Sequence, residues 1–186
     1  HLQMVLDGAQ RTFQCTWILQ DSLSLIRFYD KFRLPVLPVG QSLWLFTLDV
    51  KNLYPSIPLD YGIHLIYPLI QQFLPEQPGF FKHLLSLVLK NNVVSFADRL
   101  FLQVQGTAMG SHVGPTFANL FMFMLEKDWV SSHHSNGYLL SFYRLLDDCH
   151  GIWCGSHESL VHAIEQYDGF HQAIRQYPKT LLISWI

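Results

Sequence analysis

The sequence predicts an α+β fold, a split βαββαβ unit of the ferredoxin-like kind with an inserted hairpin. Three observations predict it. An apolar run over residues 43–50 carries Asp49 near its end, and two further apolar runs, 138–146 and 149–154, meet at Asp147-Asp148. Between these regions, stretches of helical periodicity end in a strongly apolar helix over 115–130, and another helical pattern follows over 158–175. In this layout the first strand neighbours the central hairpin. That would set Asp49 beside Asp147 and Asp148 despite their distance along the chain.

Taken in order, residues 1–42 read as a mixed connector. Within it, 16–32 carries helical periodicity through Ile18, Leu19, Leu23, Ile26 and Tyr29, closed by Pro35 and Pro38. Residues 43–50 are a buried strand, and 52–58 a turn holding Pro55 and Pro58. A helix over 59–74 is expected to kink or break at Pro68. A loop over 75–79 leads to a helix over 80–90. Short strands at 93–96 and 100–104 flank Ala97-Asp98-Arg99 as a hairpin. Pro115 opens the apolar helix. After the strands on either side of Asp147-Asp148 and the helix over 158–175, residues 181–186 begin a strand.

Hydrophobic residues make up 49% of the 186, enough for a packed core. The mean hydropathy of +0.17 is high for a soluble domain, as expected where a partner lobe is missing and apolar surface faces water. A net charge of −2 argues against a strong stand-alone nucleic-acid binder, since Lys and Arg contacts to phosphate dominate that affinity. Cys15, Cys149 and Cys154 imply no disulfide framework and fit a reducing, intracellular compartment, nuclear or cytoplasmic. No membrane span or signal peptide is legible, and both ends read as cut.

Asp49 ends a run whose neighbours look buried, where an unpaired carboxylate is unfavourable. A strand-end carboxylate facing a carboxylate pair in a tight turn suits two divalent ions. In-line phosphoryl or nucleotidyl transfer uses such ions about 3.5–4 Å apart. A polymerase palm is therefore the first hypothesis, with Mg²⁺ favoured by hard carboxylate oxygens and Mn²⁺ the alternative. Plainer readings stand beside it. Asp147-Asp148 is also good turn chemistry. Tyr54 also reads as a core aromatic, Gly106 and Gly110 as loop glycines, Asn119 as a satisfied core amide, and Lys51, Arg99 and Arg144 as surface charges. His133, His134 and His150, even with Cys149 and Cys154, match no zinc spacing.

The longer strings carry a resemblance. Asp49-Val-Lys-Asn-Leu-Tyr54, Gln105-Gly106 and Leu145-Leu146-Asp147-Asp148 resemble motifs A, B and C of reverse transcriptases. Leu-Asp-Val-Lys-Asn-Leu-Tyr-Pro-Ser-Ile-Pro, Gln-Gly-Thr-Ala-Met-Gly and Pro-Thr-Phe-Ala-Asn-Leu-Phe-Met are similar to the reverse transcriptases of Penelope-like retroelements. The resemblance implies partial fingers or a connector over 1–42 and a reverse transcriptase palm over 43–186, truncated at its C-terminus and lacking the thumb. It implies RNA-directed DNA synthesis with an RNA template, a DNA primer and dNTPs, no membrane partner, and fingers, thumb or endonuclease lobes in a longer parent protein. Carried over by residue, Asp49 and Asp147 would be the principal metal ligands and Asp148 a weaker one, these three forming the catalytic set. The Val50 carbonyl would be a further metal contact. Tyr54 would be the gate against a ribose 2′-OH. Gln105 and Gly106 would line the nucleotide and template site, and Lys51 would touch phosphate. The family usually has an aromatic where Leu145 stands and an apolar residue where His150 stands. Three functional classes stay open: this polymerase, a non-catalytic palm segment binding RNA or protein weakly, and another palm enzyme such as a nucleotidyl cyclase, against which Tyr54 and Gln105-Gly106 argue.

Overall fold

A computed structural model describes residues 2–13, 15–37, 39–108 and 110–170. The strand expected over 181–186 and the end of the helix expected over 158–175 lie outside the described residues. The described chain gathers into two compact units, each built from separate stretches of sequence. Residues 2–15 with Asn52–Met124 form the first, and Thr16–Lys51 with residues 125–170 the second.

The first unit is mainly helical. It opens with α1 (Leu2–Thr12), a helix that the mixed composition of the connector did not reveal. The turn expected after Asp49 contains a short helix, α3 (Leu53–Ser56), entered through Asn52 at φ 52°. Then come α4 (Leu59–Phe73) and α5 (Pro78–Lys90). Pro68 does not break α4; its buried Ile63, Ile66, Leu69 and Ile70 hold the helix through packing, which outweighs local propensity. Gly8 of α1 lies so close to the Phe73 ring that a Cβ there would sit 2.5 Å from it. Strands β2 (Val93–Phe96) and β3 (Arg99–Leu102) pair as the expected hairpin. Ala97 and Asp98 both have positive φ, the pattern of a type I′ turn. Leu100, Phe101, Leu102 and Val104 are all exposed, in line with the high mean hydropathy.

Helix α6 (Gly114–Ser135) begins in the first unit and ends in the second. It runs beyond the expected 115–130. Its polar last turn closes with Gly137 at φ +73°, where Gly137 N donates to His134 O and Tyr138 N to His133 O. This pair of bonds is a Schellman cap.

The second unit holds a three-stranded antiparallel sheet in the order β1 (Ser42–Asp49), β5 (Asp148–Gly155), β4 (Leu139–Leu145). This is the arrangement of first strand and central hairpin that the βαββαβ reading required. Central β5 is buried along most of its length, which explains its unbroken apolar run. Gly151 leaves room for the Phe46 ring across the strand pair, where a Cβ would come within 2.3 Å. Helix α7 (His157–Phe170) packs on β5. The helix expected over 16–32 is shorter, α2 (Ser22–Lys31). Asp21 caps it by accepting from Ser24 N at 2.8 Å. The residues before it are drawn instead to the sheet edge, where Ile18 bridges Arg144 in parallel.

Candidate functional site

The register of the sheet brings the two acidic segments together. Asp49 lies directly opposite Asp148 in the β1–β5 pair, and Val50 N donates to Asp147 O at 3.0 Å. Directly paired residues share a sheet face. Asp49 and Asp148 therefore share a face with Thr47 and His150, the next pair along that face. The opposite face carries the buried Phe46, Leu48 and Cys149.

The hairpin between β4 and β5 is tight, Leu145 pairing with Asp148 across Leu146 and Asp147. Leu146 has φ 57° and Asp147 does not have positive φ. That is the pattern of a II′ turn, a position that usually calls for glycine. A leucine held there is strained by about 1–2 kcal/mol, and such strain clusters at functional sites.

Asp148 is the exposed member of the three carboxylates. Partial desolvation, then the like charges of Asp147 and Asp49, raise its pKa above the ordinary value. The donor set suits Mg²⁺: the candidate side-chain ligands are carboxylates, and a divalent cation would relieve the repulsion between them. Among the described residues, no three His, Cys, Asp or Glu side chains are gathered closely enough to hold a metal ion as they stand.

A pocket of about 430 Å³ opens on the carboxylate face. Asp49, Asp148 and His150 line it together with Leu25, Tyr143 and Leu145. Helix α2 flanks this face, with Phe28 against Tyr143 and the Tyr29 hydroxyl hydrogen-bonded to His150 Nε2. Burial lowers the His150 pKa, which favours the uncharged ring.

The first unit assembles a second group of the expected site residues. Gly106 is buried at φ +73°, and a Cβ on it would lie 2.5 Å from Pro55 Cα and 2.6 Å from Tyr54 O. Thr107 N donates to Tyr54 O at 2.9 Å. The glycine-rich loop is therefore docked on α3. The close approach that Gly106 permits is to the chain's own backbone. Tyr54 is half-buried and Gln105 exposed. Lys51, half-buried, follows directly on Val50 in the second unit.

Arg144 is not a surface charge. It is fully buried, as is Glu126 of α6, and the two form an ion pair at 2.7 Å. Burial opposes the guanidinium charge, but Glu126, Cys149 and Tyr167 together outweigh it and Arg144's pKa is raised. Tyr167 and Trp17 also donate to Glu126, at 2.8 and 3.0 Å. Burial, with Glu126 nearby, pushes the Cys149 thiol up to about 12, so it stays protonated and unreactive. The local signal for this cluster was the charged run Glu126-Lys127-Asp128 interrupting an apolar helix, of which Glu126 alone is buried.

No protein-family model matches the chain, and no curated protein matches it in sequence. Solved structures do match. The fold is one found in telomerase. The chain is similar to apo telomerase from Candida tropicalis at 14% identity and a TM-score of 0.63, over 94% of this chain and 33% of that one. It is also similar to a form of that telomerase truncated from the C-terminal domain, at 12% identity and a TM-score of 0.53, over 95% of this chain and 36% of that one. At such identity the likeness concerns fold alone. The chain spans about a third of the length of these two structures. No helix among the described residues is long and apolar enough to cross a membrane.

Proposed function

We propose that this chain is the palm of a reverse transcriptase, an RNA-directed DNA polymerase of the Penelope-like kind. The observation that carries the reading is the pairing of Asp49 with Asp148 at the closed end of the β4–β5 hairpin, Asp147 being tied to Val50 by a main-chain hydrogen bond. Telomerase, a reverse-transcriptase-related enzyme, supplies the fold-level support. Asp49 and Asp147, with Asp148 and the Val50 carbonyl, would hold Mg²⁺ or Mn²⁺. Bound there, the ions would lower the charge barrier to attack of a primer 3′-OH on a dNTP. Tyr54 would exclude a 2′-hydroxyl, Gln105 and the Gly106 loop would flank the nucleotide and template, and Lys51 would meet phosphate. RNA template, DNA primer and dNTP are the partners of this reading.

A second reading, a palm-derived segment without catalysis, is favoured by the absence of a gathered ligand group among the described residues. Primer extension on an RNA template separates the two. With fingers and thumb lobes joined to the chain, extension should occur with Mg²⁺ and vanish in Asp49→Asn and Asp147→Asn. Extension by either variant at the parental rate would refute the assigned roles.

A further inference from the structure

We infer that the buried pair Glu126–Arg144 is a positioning device that sets the conformation of the Leu146–Asp147 turn and so aims its carboxylates. Stability does not explain the pair. Both side chains are fully buried, and an ion pair in that state is commonly no more stabilising than apolar residues of the same shape. What such a pair supplies is a fixed geometry.

The geometry here is directed at the turn. The guanidinium reaches both the acid and the turn: Nε donates to Glu126 Oε1 at 2.7 Å and Nη1 to Leu146 O at 2.8 Å. Leu146 is the residue held at positive φ, and its carbonyl directly precedes Asp147. The next carbonyl, that of Asp147, accepts from Val50 N of the adjoining loop. Two successive turn carbonyls are thus held from two sides, one by the arginine and one by the chain leaving β1. Glu126 is itself oriented by Tyr167 on one oxygen and Trp17 on the other. Arg144's main chain is pinned as well, its N–H donating to Trp17 O and its carbonyl accepting from Leu19 N, both at 2.8 Å. An arginine suits this task because its planar fork reaches two acceptors at fixed angles, which a lysine ammonium does not reproduce.

That the aimed carboxylates bind metal rests on the reverse-transcriptase reading; that the pair sets the turn does not. The test uses the whole 186-residue chain, with residue-resolved amide hydrogen exchange as one readout and Mn²⁺ binding by EPR as the other. In the double substitution Glu126→Leu with Arg144→Met, and in Arg144→Lys, exchange at Val50 and at the turn amides should accelerate by roughly tenfold or more. Amides in the middle of the β1–β5 pair should keep their parental protection. If the parent binds Mn²⁺, the same variants should weaken that binding by roughly 10–100-fold, the usual effect of losing groups that orient ligands. Parental exchange at the turn in a folded variant would overturn the inference. So would acceleration spread evenly over the sheet, or unfolding of Arg144→Lys, since either would make the pair a general stability element. Failure of the parent to bind Mn²⁺ would strike the metal reading alone, with the exchange result still deciding the role of the pair.

Discussion

Gly106→Ala is the substitution whose effect the structure defines most sharply. The new Cβ would stand 2.5 Å from Pro55 Cα and 2.6 Å from both Pro55 O and Tyr54 O. Ordinary contact requires these atoms to retreat by roughly 1 Å. They are main-chain atoms, and proline fixes its own φ, so no side-chain rotation relieves the clash. The alanine must also adopt the left-handed conformation at φ +73°, at about 1–2 kcal/mol. Overpacking adds about 1–3 kcal/mol, partly relieved if the Thr107–Tyr54 hydrogen bond gives way at about 1 kcal/mol. The expected loss is about 2–5 kcal/mol, read as a lower urea midpoint with unchanged slope. Gly110→Ala is the control. Nothing lies within 4 Å of its Cβ, so its stability should stay within about 0.5 kcal/mol of the parent. A Gly106→Ala chain as stable as Gly110→Ala would show that the glycine-rich loop is not docked on α3.

Other outcomes are expected. Arg144→Met alone should destabilise the chain by about 3–5 kcal/mol in urea unfolding, because it leaves the Glu126 carboxylate buried without its cation; a loss below about 1 kcal/mol would mean that water reaches the pair. The Asp21 carboxyl is held below its ordinary value by the Ser24 side-chain and backbone hydrogen bonds. Its capping of α2 is therefore complete above the ordinary carboxyl pKa and lost as pH falls through the lowered one. Asp21→Asn should flatten the acid-side decline in helicity followed by circular dichroism, and an unaltered decline would exclude the cap as its source. In an active enzyme with fingers and thumb joined, Tyr54→Val should raise the kcat/KM ratio for rNTP over dNTP; an unchanged ratio returns Tyr54 to a packing role. The chain alone should bind RNA weakly and with a shallow salt slope, since its −2 charge offers few phosphate contacts, and tight filter binding at physiological salt would contradict that reading.

The features legible in the chain of residues are local ones. Apolar periodicity located the strands that became β1, β4 and β5 and the helices α4 to α7, because a helix or strand face must be apolar every few residues wherever it is buried. Turn chemistry located both hairpins, at Ala97-Asp98-Arg99 and at Asp147-Asp148, the second turn lying one residue earlier in the structure, at Leu146-Asp147. Motif spacing put Asp49 at a strand end and Asp147-Asp148 in a tight turn. The boundaries it missed were set by single interactions, such as the Asp21 cap of α2 and the glycine that closes α6.

The remaining features depend on contacts between segments distant in sequence. A one-residue change of register in the β1–β5 pair would have put Asp49 and Asp148 on opposite faces; the observed pairing is fixed by contacts such as Phe46 over Gly151, far apart in sequence. Gly106 reads from sequence only as a loop glycine, and the folded chain shows the Tyr54–Pro55 backbone occupying the space a side chain would need. Arg144 reads as surface because charge is ordinarily solvated. Its burial depends on Glu126, Trp17 and Tyr167, which three different segments deliver to one point. No local pattern records such a meeting, because the free energy that permits a buried charge resides in the partner and not in the residue's own neighbours.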